Sequence, residues 1–347
     1  VPASTTSEAF YTTDAYTDEG LEFAREAVKL EKPFFCYLAY NAPHYPLKAK
    51  PEDIARYRGK YRAGWDVIRQ RRYERLVALG IIDRSSKLSP RGAKVPQWDS
   101  LTDEEKDEQD LRMATYAGMI DCVDQNVGKI ITALKDMHVY DNTLILFLHD
   151  NGGCNSGGAT GKNTGKGACG TTESFAYYGE CWANVSNTPF RKYKTHIHEG
   201  GIASPLIAHW PTGIDTGLNG TLVTEPAHVI DLMATCVDLS NAEYPETYKG
   251  NRILPMEGRS LKPVFKGSSL NRDAPLFFEH LGNRGMRRGQ WKLVSLKGGK
   301  WELYNMLSDR TELNDLAAQF PEKLKEMSTQ YDIWADRCLV KKAQKKR

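Results

Sequence analysis

The sequence predicts an α/β protein in which a mostly parallel sheet flanked by helices occupies residues 1–265 and a small antiparallel α+β subdomain occupies 266–347. Three observations carry this. A long amphipathic helix leads into a continuous apolar strand ending in "HDNGG"; a shorter helix followed by an apolar run stands near the start; and from about residue 270 the texture changes to short strands with a helix behind them. At 347 residues the chain can bury a large core. Lys plus Arg total 47 against 44 for Asp plus Glu, a net charge of +3, which gives no electrostatic footprint for nucleic acid or a membrane surface as the main partner. No apolar run reaches the roughly 18 residues a membrane helix needs.

The elements follow in order. Residues 18–30, "DEGLEFAREAVKL", space Leu21, Phe23, Ala24, Ala27, Val28 and Leu30 as a helix, and "PFFCYLAY" after Pro33 reads as a strand. This is half of a βαβ unit, with no strand before it. Residues 48–110 are polar and basic, and the Arg-rich helix around 56–75 reads as an insertion over one rim. A helix over about 105–138 carries Tyr116, Met119, Ile120, Val123, Val127, Ile130, Ile131 and Leu134 at the 3.6 period. It feeds "TLILFL" (143–148), whose unbroken apolar character suits a parallel strand covered on both faces.

The stretch 152–179 is glycine-rich and long enough to be a functional loop. Its "GATGKNTGKG" has no register matching G-x-x-x-x-G-K-[ST], so a phosphate loop is rejected. Next come a strand in "IASPLIAHWP" (202–211), a helix in 226–239, the strands "PLFFEH", "WKLVSL" and "KWELYNM", and a last helix in "PEKLKEMSTQYDIWADR". The basic tail Lys341–Arg347 reads as a solvated end. Seven cysteines are too few and too scattered for a disulfide scaffold or a zinc site; Cys154, Cys169 and Cys181 allow either one disulfide or free thiols. Sequons stand at Asn184 and Asn219.

In open α/β sheets, ligands bind at the carboxyl ends of strands. Asp150 and Asn151, at the end of "LILFLH", supply two hard oxygens that suit Ca²⁺ or Mg²⁺ better than zinc, or else a plain Asx turn. His44 follows the earlier apolar run and is held between Pro43 and Pro46, a stiffened position that suits an acid or base. In "FRKYKTHIHEGG", an extended "KTHIH" would put Lys194, His196 and His198 on one side; this reads either as a His-x-His metal site or as a lysine clamp for an oxyanion.

Taken in series, "NAPHYPL", "NTLILFLHDNGG", "FRKYKTHIHEGG" and "FFEHLGNRGMRRGQWKLV…WELYN" resemble the sulfatase family, the arylsulfatase branch of the alkaline-phosphatase-like superfamily, over essentially the whole chain. The resemblance implies that Asp150 and Asn151 ligate an active-site calcium, that His44 reaches the ester and its leaving oxygen, and that Lys194, five residues before Glu199, holds a sulfate oxygen. It further implies that His280 and Arg284 border the substrate pocket, that the substrate is a small-molecule or glycan sulfate ester, and that the compartment is periplasmic, secreted or lysosomal. The family's nucleophile, a formylglycine made from the Cys or Ser of C/S-x-P-S-R, has no counterpart here, and the family's N-terminal Asp pair and K-x-H element are missing too. Motifs downstream of one point are intact while everything upstream is gone, which favours truncation over a degenerate, non-catalytic sulfated-ligand binder. A phosphate or phosphonate ester hydrolase of the same superfamily is the remaining alternative.

Overall fold

The computed structural model describes residues 10–340, so the basic tail Lys341–Arg347 lies outside the described residues. In chain order the elements are helices α1 (Thr12–Lys29), α2 (Pro51–Ala55), α3 (Trp65–Ala78) and α4 (Asp103–Asp136), strands β1 (Ile145–Leu148), β2 (Lys162–Asn163) and β3 (Ala176–Tyr177), and helices α5 (Gly179–Ser186) and α6 (Glu199–Ile202). Strand β4 (Leu206–His209), helix α7 (Ile230–Leu239), strands β5 (Thr247–Tyr248), β6 (Asn251–Arg252), β7 (Leu276–His280), β8 (Asn283–Arg288), β9 (Trp291–Ser295) and β10 (Glu302–Asn305), and helix α8 (Pro321–Arg337) complete the chain. Two compact units result. One holds the chain up to Leu79, Leu88–Asp141 and Gly153–Lys194; the other holds Gly80–Lys87, Asn142–Gly152 and the chain from Thr195 onward. No helix among the described residues is long and apolar enough to cross a membrane.

In the first unit, α4 starts where Thr102 and Glu105 form a reciprocal capping box, which satisfies two otherwise orphaned N–H groups. Of its predicted apolar stripe Met119, Val123 and Leu134 are buried while Ile120 stays exposed, and Met113 and Cys122 add to the buried face. Asn126 on α4 donates to Asp14 on α1 at 2.8 Å. The core centres on Trp65, Trp98 and Trp182, which meet edge-on with ring centroids 4.8 to 6.2 Å apart. The fully buried Trp182 satisfies its indole N–H on Gln109 Oε1 at 3.0 Å, so its polar tip carries no desolvation penalty.

Several arginines of the Arg-rich segment are engaged within the protein, while Arg71, Arg72 and Arg75 are exposed. Arg69 is buried in α3 and donates to the carbonyls of Asn184 and Ser89 and to Ser89 Oγ, burial pushing its pKa down to about 10. Arg58 and Arg62 are paired with Asp107, and Arg58 also with Asp110. Only the spacing of charges is visible in a sequence, whereas their neutralisation depends on which acidic helix face they meet.

In the second unit, β10-β9-β8-β7 form an antiparallel sheet. Met286, Leu293 and Leu303 from it pack on Met327, Tyr331 and Ala335 of α8, as the texture after residue 270 predicts. Two expectations fail. β1 pairs with β4 antiparallel, Ile145 opposite His209 and Leu148 opposite Leu206, and every named ladder among the described residues is antiparallel. An unbroken apolar run reports how much of a strand is covered and says nothing about its neighbour's direction. Residues 33–40 pair with no strand among the described residues and leave Phe35 and Tyr37 80% exposed. Aromatic content favours extension, but a strand exists only where a partner accepts its hydrogen bonds. The α/β content and the C-terminal antiparallel sheet stand.

Removing the centre of the tryptophan cluster leaves a large cavity and takes the indole N–H away from Gln109 Oε1. We expect Trp182→Ala to lower the unfolding free energy by about 3–5 kcal/mol, read as a lower urea midpoint; a loss below about 1 kcal/mol would show that the three rings do not form the core of this unit.

Candidate functional site

His44 sits on the loop after residues 33–40, its N–H donating to the Asn41 carbonyl at 2.9 Å. Its Nδ1 lies 2.7 Å from the Tyr45 carbonyl oxygen, which can only accept, so the proton of the neutral ring is on Nδ1. Nε2 then presents a lone pair, and Lys194 Nζ donates to it at 2.9 Å. Two residues 150 positions apart thus share one hydrogen bond at an exposed surface.

The aim of Lys194 is set by its backbone. The Asn187 carboxamide accepts from Gly153 N–H at 2.8 Å and donates to the Lys192 carbonyl at 3.0 Å, while Lys194 N–H donates to the Gly153 carbonyl at 3.0 Å. Gly153 is needed there because a Cβ would lie 2.5 Å from the Tyr178 hydroxyl. The extended "KTHIH" expectation fails. Thr195 takes a left-handed φ of +75°, the alternation breaks, and Ile197 and His198 are both buried, His198 with its Nε2 3.1 Å from Glu302. A positive φ cannot be read from a Thr, and the His-x-His metal reading loses its geometry with it.

Asp150 is exposed at the end of β1, and Asn151 donates its Nδ2 to the Gly152 carbonyl at 2.9 Å, which leaves Oδ1 available as an acceptor. Two hard oxygens fit Ca²⁺ or Mg²⁺ in kind and fall short of six to eight in number. No group of three or more His, Cys, Asp or Glu suited to a metal occurs among the described residues. His280 is exposed at the end of β7, whereas Arg284 lies over the Trp301 ring at 4.4 Å and donates to Ser295 Oγ at 3.1 Å. Cys154, Cys169 and Cys181 are free thiols, the last two buried, and burial pushes their pKa values up. Asn184 is buried in α5, which takes its side chain out of reach of a glycosyl donor, while Asn219 is exposed.

A family model described as Sulfatase matches residues 2–242. The chain belongs to the sulfatase family. An uncharacterized sulfatase of Schizosaccharomyces pombe is 31% identical over 343 residues, covering 92% of this chain and 60% of the relative. An arylsulfatase of Klebsiella aerogenes is 32% identical over 277 residues, covering 77% and 59%. Among solved structures, the crystal structure of Ps i-CgsB aligns with a TM-score of 0.63 at 28% identity, covering 94% of this chain and 55% of that one. The chain therefore spans about 60% of the length of these curated relatives.

This sulfatase chain also contains a buried charge cluster that its motifs hint at only through "EGG" and "WKLV". Lys292 Nζ, fully buried on β9, lies 2.6 Å from Glu199 Oε1 and 2.8 Å from Glu312 Oε1; Glu312 Oε2 accepts the Glu199 N–H at 2.8 Å, and Arg310 reaches Glu199 at 3.5 Å. Lys292, Arg310 and Arg287 hold Glu199 low against its burial. Glu312, desolvated and facing Glu199, is pushed up to about 7.

The native state therefore binds a proton at Glu312 that the unfolded chain, titrating near 4.5, has released, so stability should fall as pH rises from about 4.5 to about 7. Across that window the wild type should lose stability relative to Glu312→Gln, by on the order of 2 kcal/mol. Equal slopes for the two proteins would place the titrating group elsewhere.

Proposed function

We propose that this chain forms part of an arylsulfatase-type sulfuric ester hydrolase, which cleaves sulfate esters to sulfate and an alcohol or phenol. The observation that carries the reading is the hydrogen bond between Lys194 and His44. An ammonium beside an imidazole can hold an anionic oxygen while the ring handles the proton of the neighbouring leaving oxygen. In the imidazolium form Nε2–H donates to the leaving oxygen. Once that proton is given up, the Nε2 lone pair is satisfied by Lys194 Nζ–H, the arrangement seen here. The Nδ1–H bond to Tyr45 keeps the ring from presenting the wrong nitrogen in either form.

A calcium ion, when bound, would neutralise sulfate charge, with Asp150 and Asn151 holding one side of it. His280 is assigned to the border of the substrate pocket together with Arg284, although the guanidinium of Arg284 is committed to Trp301 and Ser295. The nucleophile is what these residues lack: no Cys or Ser begins the sequence C/S-x-P-S-R anywhere in the 347 residues. We assign the formylglycine and the other calcium ligands to a segment outside them. Support comes from the apolar run 33–40, which pairs with no strand among the described residues and leaves Phe35 and Tyr37 exposed.

The 347-residue chain alone should hydrolyse an aryl sulfate no faster than buffer, and robust turnover would overturn the assignment of the missing nucleophile. It should still bind inorganic sulfate, with Lys194→Ala weakening binding at least about tenfold at an unchanged unfolding midpoint. In a longer form carrying the motif, the same substitution should lower kcat by roughly 10²–10³. Wild-type behaviour of Lys194→Ala in both assays would remove the residue from the site, and faster turnover of a phosphonate monoester than of an aryl sulfate would move the chain to the other ester class.

A further inference from the structure

Apart from Gly153, the glycine-rich stretch from 152 to 179 has no part in the chemistry above, yet its backbone is built tightly. Cβ atoms at Gly161 or Gly165 would collide with the backbone of residues 173–178, so glycine lets the two sides of the loop lie against each other. The product is the β2–β3 hairpin, Lys162 opposite Tyr177 and Asn163 opposite Ala176. Asn163 Oδ1 accepts the Phe175 N–H at 2.9 Å and Thr164 N–H donates to the Phe175 carbonyl at 3.0 Å, so Phe175 is pinned from both ends.

Ala176 is fully buried, and alternation sends Phe175 and Tyr177 to the opposite, outer face. Leu47 N–H donates to the Ala176 carbonyl at 3.0 Å, which fastens the His44 loop to the same hairpin. Tyr45 therefore joins the two rings: centroids stand 4.4 Å apart for Tyr45–Tyr177, 5.5 Å for Phe175–Tyr177 and 6.3 Å for Tyr45–Phe175, all tilted. The His44 ring lies 4.2 Å from Tyr45, and the exposed Lys162 ammonium stands 5.9 Å from the Tyr177 centroid. Phe175 remains 41% exposed although its backbone is fixed. A rigidly presented ring in water beside a reactive pair is an arrangement that packing alone does not call for.

We propose that Tyr45, Phe175 and Tyr177 form the subsite for the ring that bears the sulfate ester, that this ring is a sugar, and that Lys162 takes a second sulfate on it. The inference rests on the assignment of Lys194 and His44 to the ester sulfate. Three mutually tilted rings present an uneven apolar surface, which suits the C–H face of a pyranose; a planar aryl group gains most from a slot between parallel faces, which these three rings do not form. An ammonium over the rim has use for a further anionic substituent, which simple aryl sulfates lack.

Calorimetric titration of the 347-residue chain with a disulfated hexosamine, a monosulfated hexosamine, phenyl sulfate and inorganic sulfate tests this. The disulfated sugar should bind at least about tenfold tighter than inorganic sulfate, and Phe175→Ala and Tyr177→Ala should each remove most of that advantage while unfolding midpoints report intact folding. Lys162→Gln should abolish the preference for the second sulfate. Wild-type sugar affinity in both ring variants, with sulfate binding still dependent on Lys194, would overturn the subsite and leave the ester-sulfate assignment standing. Sulfate binding that ignores Lys194 would instead bring down that assignment, and the subsite would then be decided by saturation transfer between the aromatic rings and the sugar, whose absence overturns it. An equal gain for phenyl sulfate would overturn the sugar.

Discussion

A lysine can hold an oxyanion only if something fixes where its stem begins, and here that constraint is the Asn187 carboxamide. It ties the Gly153 N–H to the Lys192 carbonyl, and Gly153 in turn receives the Lys194 N–H. The long aliphatic stem would otherwise spread the ammonium over many rotamers, at an entropic cost comparable to the bond it forms with His44. Everything proposed for the Lys194–His44 pair depends on this backbone clamp. The clamp itself depends on Gly153, because a side chain there would strike Tyr178.

The His44 end is constrained by other means. Its tautomer is set by one carbonyl oxygen, and its loop is fastened to the β2–β3 hairpin through Leu47 and Ala176. The glycine-rich segment that sequence reasoning could only refuse as a phosphate loop is thus a scaffold. Its glycines permit close backbone approach, and that approach presents Phe175 and Tyr177 beside Tyr45. A phosphate cradle needs backbone N–H groups free to bind an anion, and those of Gly165 and Phe175 are already donated to Asn163.

The second unit solves a different problem. Burying two carboxylates around one ammonium is costly, and each pair must be closely matched to offset desolvation. Glu199 is held ionised by three cations while Glu312 is driven toward its neutral form, so the cluster carries less charge than its composition suggests. The same cluster ties the "EGG" turn to β9. Arg284 and Arg69 teach the same lesson: basic residues that look available in a sequence are spent on an indole face and on buried carbonyls.

By itself the sequence determined the class of elements and named the candidate site residues. Helical periodicity located α4, the texture change after residue 270 located the antiparallel sheet, and the spacing of His44, Asp150, Asn151 and Lys194 within their motifs pointed to the family, because periodicity and motif chemistry are local properties of the chain. Strand direction, the loss of pairing at 33–40, the positive φ at Thr195 and the paired state of the arginines were not legible, since each depends on what a residue meets across tens or hundreds of positions. Only the tertiary structure decided that His44 and Lys194 share a hydrogen bond, that Asn187 aims the lysine, and that Tyr45, Phe175 and Tyr177 gather into one face. Hydrogen bonds and ring contacts act over a few ångströms in space, and distance in space is the one quantity that distance along the chain does not carry.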